Sequence, residues 1–172
     1  NMFIARLCMN ILSTIIIIRY GRLAVVLRLD QSTHQVVLAL RRAQQFAITS
    51  YPDPGSTGVP CAWGVRIDSS AGHYRIFPDR ISSGACPGNG FYEASENVSS
   101  SIPISILPTG VRFQGSSMVD VTYLPPDPSV RIFKDGILLS DQFITITLEA
   151  PQAGESRNIV VWRSGQISIQ RP

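Results

Sequence analysis

Acidic residues are almost missing from the first 50 positions of this 172-residue chain. Asp30 is the only one, against the six arginines Arg6, Arg19, Arg22, Arg28, Arg41 and Arg42. That arm carries +5, while residues 51–172, with nine basic and eleven acidic residues, carry −2. A basic arm on a mildly acidic remainder is suited to anionic lipid, nucleic acid or an acidic partner. Lysine is nearly absent too, with Lys134 alone. No stretch reaches the roughly 20 uncharged apolar residues of a transmembrane helix, because Arg19 and Arg22 interrupt residues 7–27. Nor does a small-x-small cleavage site follow residues 7–18, so a signal peptide is matched only in part.

Catalytic and metal signatures are missing as well. There is no CxxC or Cys/His cluster, which argues against zinc, and no G-x-S-x-G elbow. Gly84, Gly88 and Gly90 precede no helix that would present N–H groups to a phosphate. His34 and His73 share no spacing with each other or with a nucleophile. The expectation is a protein that is not an enzyme and has no cofactor.

What the chain does have is apolar: 44% hydrophobic against 16% charged residues, enough for one domain with a real core. The richest part is LCMNILSTIIIIRYGRLAVVL at 7–27, with Ile15, Ile16, Ile17 and Ile18 in an unbroken run. Residues 30–49 form the clearest amphipathic helix. Val36, Ala39, Leu40, Ala43, Phe46 and Ala47 recur at three- and four-residue spacing, opposite Arg41, Arg42, Gln44 and Gln45. Asp30 or Ser32 is expected to cap its start, and Pro52 and Pro54 with Gly55 to end it. Joined, the two segments would make a helix of some 60 Å, too long for a head of about 120 residues to cover.

Beyond Pro54 the period becomes two. Residues 63–67 and 74–77 read as a hairpin turning at 69–72, and residues 83–101 as a long loop. Short strands are expected at 102–107, 111–114, 118–124 and 131–134, the last turning at Asp135-Gly136. Others follow at 144–148, 158–162 and 166–170. The fold class is α+β: a long N-terminal α-helix packed on an antiparallel β-sheet head. The division is 1–50 (an apolar segment 1–29 and a head-packing segment 30–50) and 51–172.

Residues 15–50, an apolar run ending in LDQSTHQVVLALRRAQQFAIT, resemble the N-terminal helix of type IV pilin-like proteins. In layout the chain is most similar to minor pseudopilins of type II secretion systems. The Ala39-Leu40-Arg41-Arg42-Ala43 stretch, the pair at 64–68 and 74–77, LPTGVRF at 107–113 and SGQISI at 164–169 carry the likeness. The Gly-Phe-Thr-Leu-Ile-Glu-like box that a prepilin peptidase cuts and methylates has no counterpart in Met2-Phe3-Ile4-Ala5-Arg6. The resemblance implies a structural filament subunit. It would be held in the bacterial inner membrane before assembly, then carried to the cell surface or an extracellular filament with other pilin-like subunits as partners. Its assembly helix would be Ile15, Ile16, Ile17, Ile18, Leu23, Val25, Val26 and Leu27. Its packing helix would be Val36, Leu40, Ala43, Phe46 and Ala47.

The alternative class is a membrane-tethered binding module or adhesin, binding carbohydrate, a surface or DNA and using the helix only as an anchor. Trp63, Tyr74, Phe91, Tyr92 and Trp162 are its candidate stacking surface, set against an ordinary core role. Asp79, Asn89, Glu93 and Glu96 are the calcium candidates, without EF-hand spacing. Nucleic acid is not the expected partner, since the arginines sit on the arm and the head is net acidic. Asn97-Val98-Ser99 matches a glycosylation acceptor. Cys61 and Cys86 either bridge, closing a loop of about 25 residues that adds roughly 3 kcal/mol, or stand as separate buried thiols.

Overall fold

The computed structural model describes residues 2–53, 60–80, 86, 88–93, 102–125 and 129–171, with side chains from residue 21 onward. Met2–Ile48 is one α-helix, α1, of 47 residues, about 70 Å long at 1.5 Å per residue. No new helix starts at residue 30, contrary to expectation. The Ser32 and Thr33 hydroxyls, both buried, donate to the carbonyls of Arg28 and Leu29 at 2.8 Å each. This bonding to the preceding turn satisfies the hydroxyls without freeing backbone, and Asp30 reaches sideways to Arg157 instead of capping.

The helix ends in a Schellman motif. Ser50 takes a left-handed φ of 48°. Its N–H donates to the Ala47 carbonyl at 3.2 Å, and that of Tyr51 to the Phe46 carbonyl at 2.9 Å. The hydrophobic contact that accompanies such a stop is the Phe46–Tyr51 ring stack, 4.6 Å between centroids. Trp63 joins edge-on to Phe46 at 5.1 Å and donates its indole N–H to the Tyr51 carbonyl.

Among the described residues, ten strands follow: β1 (Ala62–Asp68), β2 (His73–Asp79), β3 (Ser105–Ile106), β4 (Arg112–Phe113), β5 (Met118–Tyr123), β6 (Val130–Lys134), β7 (Ile137–Leu138), β8 (Phe143–Ala150), β9 (Glu155–Trp162) and β10 (Ile167–Gln170). They form two antiparallel sheets, ordered β3-β2-β1-β5-β6-β7 and β10-β9-β8-β4. A single sheet was the sequence expectation. Alternation marks strands but not their partners, and β4 leaves its sequence neighbours to pair with β8. Expected strands at 102–107 and 111–114 shrink to two residues each. Pro103 and Pro108, which lack ladder donors, bracket the first.

Register decides what each face of the first sheet does. Trp63, Val65 and Ile67 stand opposite Tyr123, Val121 and Val119 on β5 and share their face with Tyr74 and Ile76 of β2. This face meets Leu29, Val36, Leu40, Ala43 and Ala47 of α1 in a core that also takes Ile146, Leu148, Ile159 and Val161 from the second sheet. The second half of α1 thus shares one core with both sheets. Each fully buried aliphatic side chain there stabilises by about 1.5–3 kcal/mol.

Candidate functional site

The helix meets the head earlier than residue 30. Arg22 donates to the Ala153 carbonyl at 2.9 Å, Val25 and Val26 pack half-buried on the core, and Leu29 is fully buried. Arg157, itself buried, holds Asp30 at 2.7 Å, reaches Glu155 at 3.3 Å and donates to the Ser156 carbonyl. Burial opposes the guanidinium charge, but the hydrogen bonds it donates to Asp30 and Glu155, with their negative charges, outweigh it and raise the pKa above its ordinary value. Among the described side chains, contact between α1 and the head thus begins in the region of Arg22 to Val25. Of the assembly candidates with described side chains, Val25 and Val26 face the head, and Leu23 and Leu27 are exposed, at 55% and 60%. The side chains of Ile15, Ile16, Ile17 and Ile18 lie outside the described residues.

At 100° per residue, Leu23, Leu27, His34, Leu38, Arg41 and Ile48 fall on one outward side of α1. Leu38 and Ile48 are each 52% exposed there. The single acid of the arm, Asp30, is taken by Arg157, so this outward side, where Gln31 and Gln45 also lie exposed, combines apolar, neutral polar and cationic side chains. A groove runs along either flank, with Leu38 as the shared wall. One, of about 480 Å³, lies against β2 and β3 and includes Arg42, Tyr74, Arg75 and Ile106. The other, of about 410 Å³, lies against β10.

On the inward side Val36, Leu40, Ala43 and Ala47 are buried as expected of a packing stripe, and Phe46 is half-buried in the aromatic cluster. Leu29 and Val37, equally buried, were missing from that stripe. Val37 falls one residue off its three- and four-residue steps, whereas Leu29, seven residues before Val36 and in phase with the stripe, lies before the expected helix start.

The face of the first sheet turned away from α1 is crossed by residues 88–93. Gly90 packs where a Cβ would lie 2.9 Å from the Phe133 ring, at φ +83°, so only glycine fits without strain. Its N–H donates to Asp79 at 3.0 Å and its carbonyl accepts from Thr122. The Tyr92 ring lies between two guanidiniums, Arg66 at 4.9 Å and Arg75 at 5.0 Å from its centroid. Arg66 also donates to the Tyr92 carbonyl and Arg75 to its hydroxyl. Beneath, buried Asp120 lies 3.8 Å from Arg66. Burial pushes its carboxyl up to about 6, only partly opposed by Arg66 and a backbone hydrogen bond from Tyr92. Nothing in the local sequence marks this clasp, because Arg66, Arg75, Tyr92 and Asp120 come from four separate segments.

The calcium candidates serve this same segment. Asp79 accepts from Gly90, and Asn89 donates to Glu93 at 2.6 Å. Glu96 lies outside the described residues, as does the Asn97 acceptor. No group of three metal-ligating His, Cys, Asp or Glu forms among the described residues. The aromatic candidates do not make one surface. Trp63 and Tyr74 face α1, Phe91 and Tyr92 cover the opposite face, and Trp162 sits beside Phe143 on the second sheet. Cys61 and Cys86 are joined by a disulfide, with Cα atoms 5.3 Å apart, which ties the start of β1 to the approach of the crossing segment. His34 lies in the groove against β10, and His73 opens β2 beside Arg75.

No protein-family model, no curated protein and no solved structure matches this chain. Among the described residues, no helix is long and apolar enough to cross a membrane.

Proposed function

We propose that this chain is a structural subunit of a pilin-like filament, assembling through α1 with its β-rich head outside. The observation that carries the reading is the length of α1 against what the head covers. From Arg22 to Ile48 the helix runs about 40 Å, which suits a compact head of some 120 residues, about 35 Å across. Residues 2–21 add about 30 Å of helix beyond that reach. This part contains the Ile15 to Ile18 run, and an apolar helix of that length needs apolar neighbours on more than one side.

Other subunits fit that need better than lipid alone. The uncharged stretch between Arg6 and Arg19 is 12 residues, about 18 Å of helix against a hydrocarbon core of about 30 Å. In this reading the inner membrane holds the subunit before assembly. A bundle of like helices receives it afterwards, at the cell surface or in an extracellular filament.

Electron microscopy of the full chain, alone and co-expressed with candidate pilin-like subunits, tests this. Filaments with a central helical bundle are expected, and Ile16→Asp should abolish them while leaving thermal unfolding of the head unchanged. A chain that forms no filament in either setting, or filaments that survive Ile16→Asp, would overturn the reading.

A further inference from the structure

We propose that the open edge of β10 takes up an extended acidic segment of a partner protein as an added strand, wedged against α1. This does not depend on whether the chain forms filaments.

The two sheets have four edges, β3, β7, β10 and β4. Three of them are two-residue strands, too short to template another chain. β10 has four residues, and Gln166 to Gln170 contains no proline and no charge, the usual devices that blunt an edge. Of the four edge strands it is the longest, and it carries neither device.

Its hydrogen-bond phase can be read from the hairpin. The Trp162 N–H donates to the Gln166 carbonyl, so residues 166, 168 and 170 exchange bonds with β9 and the alternate residues do not. The N–H and C=O groups of Ile167 and Ile169 therefore point away from β9. No backbone partner takes them up among the described residues. A strand laid there gains main-chain bonds at two positions without disturbing an existing ladder.

The space beside the edge selects what the strand carries. The groove of about 410 Å³ is walled by Val37 and Leu38 of α1 and by Ile167 and Ile169, with Arg41 and His34 on the same helix. No acid lines it, and Arg41 has no ion-pair partner among the described residues. Successive residues of an added strand alternate faces, so every second side chain enters the groove. One apolar residue would meet Val37, Leu38 and the isoleucines. An acidic residue two positions away would meet Arg41. The occupant is an extended segment with an apolar–x–acidic pattern, and its backbone gives affinity while Arg41 gives sign.

The test uses the full chain and two labelled, end-capped peptides, serine–valine–serine–glutamate–serine and its counterpart with lysine for glutamate. The glutamate peptide should bind, protect the amides of Ile167 and Ile169 from hydrogen exchange, and outcompete the lysine peptide. Ile169→Pro removes one outward donor and no β9 bond, and should weaken binding about tenfold. Arg41→Glu, on the exposed helix face, should reverse the charge preference whatever the effect of the proline. Absence of binding at millimolar peptide, binding without protection of those two amides, or equal affinity for both peptides overturns the proposal.

Discussion

Ser50 stands where glycine is the usual helix stop. Its φ of 48° places a Cβ against the following carbonyl, which costs a non-glycine residue roughly 1–2 kcal/mol. Ser50→Gly removes that strain and should raise stability by about 1 kcal/mol, read as a higher urea midpoint at unchanged slope. Asp120 makes a prediction of the opposite kind. Its unfolded carboxyl ionises near 3.8 and its folded one near about 6, so between those values the native state holds the extra proton. Stability therefore falls as pH rises through that window, by up to about 3 kcal/mol, and the cost persists above it. Asp120→Asn should flatten the decline between pH 4 and 7 in denaturant titrations, whereas a decline like that of the parent chain would contradict the assignment. Neither residue stood out in the sequence. Ser50 looks like any polar residue before Pro52, and the burial of Asp120 depends on a segment nearly thirty positions away that crosses above it.

Within single elements the sequence was easier to read. Period-two tracts located β1, β2, β5, β8 and β9, and Asp135-Gly136 marked the β6–β7 turn, where both residues have positive φ. These patterns are local, and one buried face writes them directly into the chain. The continuity of α1 was obscured by Asp30 and Ser32, whose usual preference for caps gave way to Arg157 and the Arg28 carbonyl. The solitary acid in a basic arm was the available signal, since such a residue is more valuable as a partner for a buried guanidinium. The two sides of α1 can be separated by truncation. Leu40 is fully buried and Leu38 is 52% exposed. Leu40→Ala should cost about 2–5 kcal/mol, whereas Leu38→Ala should stay within about 0.5 kcal/mol. Comparable losses from both in chemical denaturation would mean that the helix is rotated from the placement described.

At the scale of the whole molecule, the helix and two sheets are one cooperative unit from about Arg22 onward. Deleting residues 1–20 should leave a folded head whose thermal midpoint matches the full chain. Deleting residues 1–30 removes Val25, Val26, Leu29 and the Asp30 partner of Arg157, and should lower the midpoint markedly or prevent folding. Circular dichroism melts of the two products distinguish these outcomes. The pairing of strands into two sheets was not legible in the sequence, because the alternation that defines a strand says nothing about which distant strand completes it. The clasp around Tyr92 was hidden for the same reason.

The attachments of α1 to the head also make it a lever. Arg157 grips it at Asp30, and the Phe46–Tyr51–Trp63 cluster grips it at the far end, sixteen residues or about 24 Å away along the axis. A rod held at two separated points cannot swivel freely in its socket. The tilt and roll of the amino-terminal end are therefore passed to the sheets as a change in heading, and a pull along the helix is shared between an ion pair and an aromatic latch.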